Sequence, residues 1–125
     1  MHSARFSHAR VPGVFIFRVD GALLYFNVDY IRERFFELFA ARGDKIDLVI
    51  LDLGTVTAID LAGVDLLIHL RHSLLRRDIQ LRLAETHTTV RHALERSGFV
   101  NRYGRIEPDL NVDVVLERWQ AESGT

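Results

Sequence analysis

The most informative pattern of apolar and polar positions in the chain lies in residues 47–75, DLVILDLGTVTAIDLAGVDLLIHLRHSLL. The unbroken apolar run 48–51 is typical of a strand that is buried on both faces of a sheet. We expect a turn over 54–58, and then Asp60 as a helix cap, because its carboxylate can accept a backbone N–H of the next helical turn. From Leu61 onward apolar residues recur at helical spacing. The pattern therefore predicts a central strand followed directly by a helix that packs on it.

The residues before this unit predict two short strands and a helix. Apolar positions dominate residues 14–21, which close with an Asp-Gly turn signal, and a second brief strand is expected over 23–26. These two strands should form an antiparallel pair. Asn27 is placed to cap a helix that ends at Gly43 and carries apolar residues at helical spacing.

The residues after the central unit predict one more strand, two more helices and a short edge strand. Residues 79–83 alternate between apolar and polar side chains, as a strand with one less buried face does. Thr86 is placed to cap a helix that stops at Ser97-Gly98. A short edge strand is expected over 103–106. A Pro-Asp pair at 108–109 then precedes a last helix at about 111–120.

The predicted element order is β-β-α-β-α-β-α-(β)-α, which indicates an α/β fold with a mixed sheet of four to five strands and about four helices. A length of 125 residues with 48% apolar composition is enough for one domain with its own core. We expect a lead-in over residues 1–10, the folded domain over 11–121 and a tail over 122–125.

Composition excludes several classes of function. The chain has no cysteine, which excludes disulfides, thiol catalysis and cysteine-bound metals. Its net charge is −1, with 16 basic and 17 acidic residues interspersed, so no broad basic field is available for nucleic acid. No apolar run approaches the roughly 20 residues of a membrane span, and the first ten residues lack the apolar region of a signal peptide.

Asp52, at the end of the predicted central strand, invites comparison with the phosphorylated aspartate of response-regulator receivers. That chemistry also needs an acidic pair after the first strand and a lysine on a later strand. Here the first strand ends Arg18-Val19-Asp20 and the only lysine is Lys45. We therefore expect Asp52 to hold the following loop through backbone N–H groups.

His69 and His72 lie three residues apart on the predicted second helix, a spacing that could place two imidazoles on one metal ion. No third ligand is apparent, and the two histidines continue a polar stripe that also contains Asp65 and Arg76. A solvated helix face explains the stripe, so no metal site is predicted. The sequence also offers no nucleophile elbow, phosphate-binding glycine loop or paired-carboxylate cleft, and no catalytic residues are predicted.

The segment LDLGTVTAIDLAG resembles the signature of the STAS domain family, which includes bacterial anti-sigma-factor antagonists and the cytoplasmic tails of SulP-type anion transporters. The segments ALLYFN (22–27) and VRHALERSGF (90–99) resemble two further parts of the family pattern. The first of these is similar to the helix entry of SulP tails and is uncommon in the free-standing antagonists. The likeness extends over nearly the whole chain.

The resemblance assigns a signature loop and shows one departure in it. The loop residues are Asp52, Thr55, Thr57, Asp60, Leu61 and Gly63. Antagonists of the sigma-regulating type carry a phosphorylatable Ser or Thr where this chain has Leu61. The usual phosphorylation switch is therefore expected to be absent, although two threonines remain in the loop.

The predicted second helix also carries an apolar ridge away from its main buried face, formed by Leu61, Val64 and Ile68. Two explanations stay open at this point. Either a neighbouring helix of the same chain covers the ridge, or the ridge, together with Asp65, binds a partner protein. The free N–H groups at this helix start also leave open weak anion or nucleotide binding near 57–63, which Asp60 would oppose by competing for the same donors.

The resemblance implies a non-enzymatic regulatory and protein-interaction domain of a SulP-type sulfate or bicarbonate transporter, without a cofactor. It implies a cytoplasmic location at the inner face of the membrane, with the transporter's membrane domain, a second copy or another regulatory protein as partner. The alternative is a free-standing antagonist that binds an anti-sigma factor. A small nucleotide-binding regulator is a third class.

Overall fold

Three parallel strands form the sheet in the computed structural model, which describes residues 11–103, 106 and 110–124. The strands are β1 (Val14–Leu23), β2 (Leu48–Ile59) and β3 (Gln80–Ala84), and their order in the sheet is β1-β2-β3. Within these described residues five helices accompany the strands: α1 (Val28–Ala41), α2 (Leu61–Leu75), α3 (Thr88–Arg96), α4 (Phe99–Tyr103) and α5 (Val112–Glu122). Helical crossovers link the strands, as parallel neighbours require.

The sheet is buried on both faces, which explains the unbroken apolar run in β2. Alternate β2 residues point to opposite sides, so that Val49 and Leu51 join a large core with α1 to α4, whereas Leu48 and Ile50 join a smaller core with α5. An ion pair between Arg82 of β3 and Glu122 of α5, at 2.6 Å, adds to the contact on the smaller side. The prediction of a central strand buried on both faces is confirmed.

An aromatic cluster joins α1 to the sheet at the centre of the larger core. Phe35 of α1 is fully buried, and its ring meets Phe15 and Phe17 of β1 edge-on at centroid distances of 5.4 and 5.3 Å. Phe39 stacks on Phe35 at 5.9 Å. Such pairs add to the hydrophobic free energy of burying the rings, so this cluster fixes the position of α1.

The predicted opening hairpin is wrong, and with it the mixed sheet of four to five strands. The described residues contain three strands, all parallel. Gly21 does not reverse the chain: it adopts φ +85°, and register shifts on both sides of it allow β1 to continue along β2 as far as Leu23. Residues 25–27 then form a turn and not a strand.

The end of the chain also differs from its prediction. Tyr103, expected in an edge strand, ends α4, and its hydroxyl donates to the carbonyl of Leu81 at 3.1 Å inside the core. Burial raises the pKa of this hydroxyl. The rest of that predicted edge strand lies partly outside the described residues. The lead-in 1–10, the pair 108–109 and the final residue lie outside them too.

Helix ends follow the predicted signals in most cases. Gly43 and Gly98 follow the last residues of α1 and α3 with φ +79° and +77°, as predicted. Asn111, which was predicted as the start of the last helix, instead caps α5 by accepting from Val114 N at 2.9 Å. Thr86 does not cap α3, because the helix begins one residue later, after His87. No helix among the described residues combines the length and apolar content that a membrane crossing requires.

We expect Phe35→Ala to lower the free energy of unfolding by about 3–5 kcal/mol, because the truncation leaves a cavity among the packed rings. Urea denaturation followed by circular dichroism measures this. Tyr30→Ala removes an exposed ring from the same helix and should change stability by less than about 0.5 kcal/mol. Equal losses in the two variants would contradict the central role of the cluster.

Candidate functional site

Asp60 joins three parts of the chain at the start of α2. Its Oδ1 accepts the N–H of Gly63 at 3.0 Å, which makes it the helix cap, as predicted. Its Oδ2 accepts the N–H of Tyr25 at 2.9 Å, and its own N–H donates to the carbonyl of Leu23 at 3.2 Å. The carboxylate and the backbone N–H of this one residue therefore hold the end of β1, the following turn and the start of α2 together.

Hydrogen bonding stabilises the ionised form of this carboxyl. The Tyr25 N–H contributes most, the N–H groups of Gly63 and Ala62 add to it, and partial burial acts in the opposite direction. The net effect is a pKa for Asp60 below its ordinary value of 3.8. The α2 start therefore carries a fixed negative charge at neutral pH.

Gly63 allows the first turn of α2 to lie directly against the end of β1. A Cβ at this position would stand 2.3 Å from the carbonyl oxygen of Leu23 and 2.9 Å from its Cβ. Backbone atoms cannot move aside as the end of a flexible side chain can. The close approach therefore requires glycine for reasons of space.

The predicted turn over 54–58 is wrong, because β2 continues through it to Ile59 and pairs with β1. The single hydroxyl proton of Thr55 is shared between the carbonyl of Val19, at 3.1 Å, and the carboxylate of Asp20, at 2.9 Å. Thr57 donates to the carbonyl of Gly21 at 3.0 Å. The two hydroxyls thus bridge the strands where the register shifts.

Asp52 is fully buried in β2, and its Oδ1 accepts the N–H of Gly54 at 2.9 Å. This agrees with the predicted role of Asp52 in holding the following backbone, although that backbone is strand and not loop. Gly54 is closely packed as well, since a Cβ there would stand 3.1 Å from the Asp52 carboxylate and 3.2 Å from the Cβ of Glu85.

Three large side chains project into solvent around the Asp60 junction: Tyr25, Phe26 and Leu61, which we call the apolar patch. They are 76%, 67% and 63% exposed. The rings of Tyr25 and Phe26 meet edge-on at 5.5 Å, and the hydrogen bond from Tyr25 N to Asp60 holds their turn next to the residue that precedes Leu61. Contiguous exposed apolar groups of this kind commonly mark protein interaction surfaces.

The predicted ridge of Leu61, Val64 and Ile68 is corrected by the structure. Val64 and Ile68 are 2% and 3% exposed and belong to the larger core. The reason is that α2 packs against α1 and α4 as well as the sheet, so both of its flanks are covered. Asp65 is exposed and pairs with Arg102 of α4 at 3.3 Å. Within the predicted partner-binding set, Leu61 and Asp65 alone remain accessible.

His69 and His72 lie on the exposed side of α2, as the solvated-face explanation predicts. Among the described residues, no group of three or more His, Cys, Asp or Glu side chains is arranged to hold a metal ion. The anion site at the α2 start stays a prediction: the ionised Asp60 already uses one of the N–H donors there.

Sequence reasoning missed the outward position of Tyr25 and Phe26 and the bond from Tyr25 to Asp60. The apolar residues at 23–26 suggest a buried strand. The available signal was Asn27, whose Oδ1 accepts the N–H of Leu24 at 2.9 Å and whose Nδ2 donates to the carbonyl of Ala22 at 2.8 Å. Asn27 therefore closes a turn and does not use its side chain to cap α1.

Comparison with known proteins gives a consistent result. A family model described as STAS domain matches residues 6–112. The chain is 38% identical over 103 residues to Sulfate transporter 1.3 of Arabidopsis thaliana and 37% identical over 115 residues to Sulfate transporter 1.2 of the same plant. These alignments cover 76% and 86% of this chain but only 16% and 18% of the transporters.

Solved structures share the fold. A sulfate transporter family protein from Wolinella succinogenes superposes with a TM-score of 0.74 at 22% identity, with 95% of this chain and 96% of that chain covered. The SulP transporter STAS domain from Vibrio cholerae gives 0.68 at 19% identity, covering 96% and 93%. The unphosphorylated anti-sigma factor antagonist SpoIIAA gives 0.70 at 19%, covering 90% and 92%.

We expect Gly63→Ala to destabilise the fold by at least about 2 kcal/mol, because the new Cβ overlaps the Leu23 carbonyl. Urea denaturation measures the change. The sign of the change in the free energy of unfolding is diagnostic, because replacing glycine by alanine inside a helix ordinarily stabilises a protein by up to about 1 kcal/mol. A more stable variant would show that the close approach is not required.

The contribution of Asp60 should depend on pH. Its pKa is depressed in the folded state, so its contribution to stability is complete above the ordinary value of 3.8 and is lost as pH falls through the lower folded-state pKa. We expect Asp60→Asn to be clearly less stable than the parent chain at pH 7, with the gap closing below about pH 3.8. Urea midpoints at both pH values test this. A stability difference of the same size at both pH values would contradict a stabilising role of the ionised Asp60 carboxylate.

Proposed function

The chain belongs to the STAS domain family, and from this we propose that it serves as the STAS domain of a SulP-type anion transporter. The observation that best supports this proposal is the 37% sequence identity with Sulfate transporter 1.2 over 86% of this chain. The likeness to SpoIIAA, at 19% identity, concerns the fold alone. The chain spans less than a fifth of the transporters that it matches, so the rest of such a protein would carry the anion pathway.

We place the domain on the cytoplasmic side of the membrane and assign it a regulatory task performed by protein contact and not by catalysis. Exposed apolar side chains beside a fixed carboxylate suit binding to a protein surface. Differential contacts with the states of a transporter would shift their populations, and no covalent step is needed for that.

The second candidate is an antagonist that binds an anti-sigma factor, which the SpoIIAA fold likeness favours. Leu61 weighs against the kinase-controlled form of this function, because an aliphatic side chain cannot accept phosphate. Titration of this chain with an anti-sigma factor in a calorimeter distinguishes the two: saturable binding supports the antagonist.

Transplantation tests the proposed function. The aligned segment of Sulfate transporter 1.2 is replaced by this chain, and sulfate uptake is measured in cells that lack their own sulfate transporters. We expect uptake well above that of the transporter with the segment deleted. The same replacement carrying Gly63→Asp, which cannot fit against Leu23, should stay at the deletion level. Uptake by the chimera no greater than by the deletion would refute the proposal.

A further inference from the structure

Hydrogen bonds restrain the backbone beneath the apolar patch of Tyr25, Phe26 and Leu61. The Asp60 carboxylate binds the N–H of Tyr25 on one side and that of Gly63 on the other, at 2.9 and 3.0 Å. The backbone under the patch is therefore fixed before any partner arrives. A preformed surface loses little conformational entropy on binding, which is the property of an anchor site.

Charge is unevenly distributed along the length of the domain. The carboxyl ends of β1 and β2 and the amino ends of α1 and α2 lie at one end, the one that carries the patch. Residues 20–33 and 55–65, which form this end, contain five acidic residues and one arginine. Arg18, Arg32 and Arg102 pair with three of these acids, at 2.9, 2.7 and 3.3 Å, and the five acids still exceed the three bases.

The opposite end has the reverse balance. Residues 40–47 and 71–80 contain five basic and three acidic residues. The whole chain has a net charge of −1, so the difference between the ends is a matter of distribution and not of composition. The patch thus lies at an end where negative charge predominates, which attracts cationic surfaces and repels anionic ones.

This charge disfavours two occupants of the patch. A symmetric dimer would place the same surface on both sides, so that the acidic surroundings would face one another. An anionic lipid headgroup layer would be repelled in the same way. A protein segment that combines basic and apolar side chains fits both the patch and its surroundings.

We infer that the apolar patch docks on a basic cytoplasmic loop of the membrane-spanning part of the transporter to which the domain belongs. The inference rests on the proposed function. Cytoplasmic loops of membrane proteins carry an excess of Lys and Arg, which supplies the charge that this end of the domain lacks. Tyr25 and Phe26 provide aromatic contact area, and Leu61 occupies the position where antagonists of the family carry the phosphorylatable residue.

Site-specific crosslinking tests the docking surface, and the absence of cysteine from the chain makes it direct. Single variants Phe26→Cys and Leu61→Cys are labelled with a benzophenone maleimide and irradiated with membranes that contain Sulfate transporter 1.2 without its aligned segment. Leu75→Cys is the control, because Leu75 is also exposed, at 42%, but ends the same helix at the basic end of the domain.

We expect a crosslink to the transporter from positions 26 and 61 with about tenfold higher yield than from position 75. The yield should fall as salt is raised to about 0.5 M, because screening weakens the charge attraction. Higher yield from position 75, crosslinks between two copies of the chain, or none at all would overturn the docking surface. If the chimera nevertheless transports sulfate, the proposed function stands; if the chimera is inactive, the function itself has failed.

Discussion

The close approach of the α2 start to the end of β1 is the constraint on which the rest of the structure depends. Gly63 makes the approach sterically feasible, and Asp60 fixes it with hydrogen bonds to both sides. Because α2 then packs on the sheet between α1 and α4, its direction is set from its first turn. A local requirement for one residue without a side chain thereby determines how the larger core is assembled.

Much of the fold could be predicted from residue patterns, since burial on both faces leaves a clear trace in the sequence. The apolar run of β2, the helical spacing after Asp60 and the glycines that follow α1 and α3 all indicated the elements found. The error with the largest effect on the topology concerned β1. An Asp-Gly pair normally marks a turn, and only its neighbour in the sheet shows that Gly21 absorbs a register shift instead.

The site was predicted less completely, and the reason is physical. Helical periodicity reports which residues share a face, but it does not show which flanks other helices cover, so Val64 and Ile68 were indistinguishable from Leu61 until α1 and α4 were in place. The turn that carries Tyr25 and Phe26 is held by the local bonds of Asn27 and also by a bond from Tyr25 to Asp60, 35 residues away. No local pattern contains such a contact.

The strands differ in length, and this has a mechanical consequence. β3 ends at Ala84 opposite Asp52, whereas β2 continues to Ile59, so within the described part of the chain residues 53–59 pair with β1 alone. On the side away from β1, this extension lacks the support that β3 gives to the rest of β2. The hydrogen bonds of Asp60 and the packing of Gly63 against Leu23 therefore provide, at the tip of this extension, the restraint that a third strand provides elsewhere in the sheet.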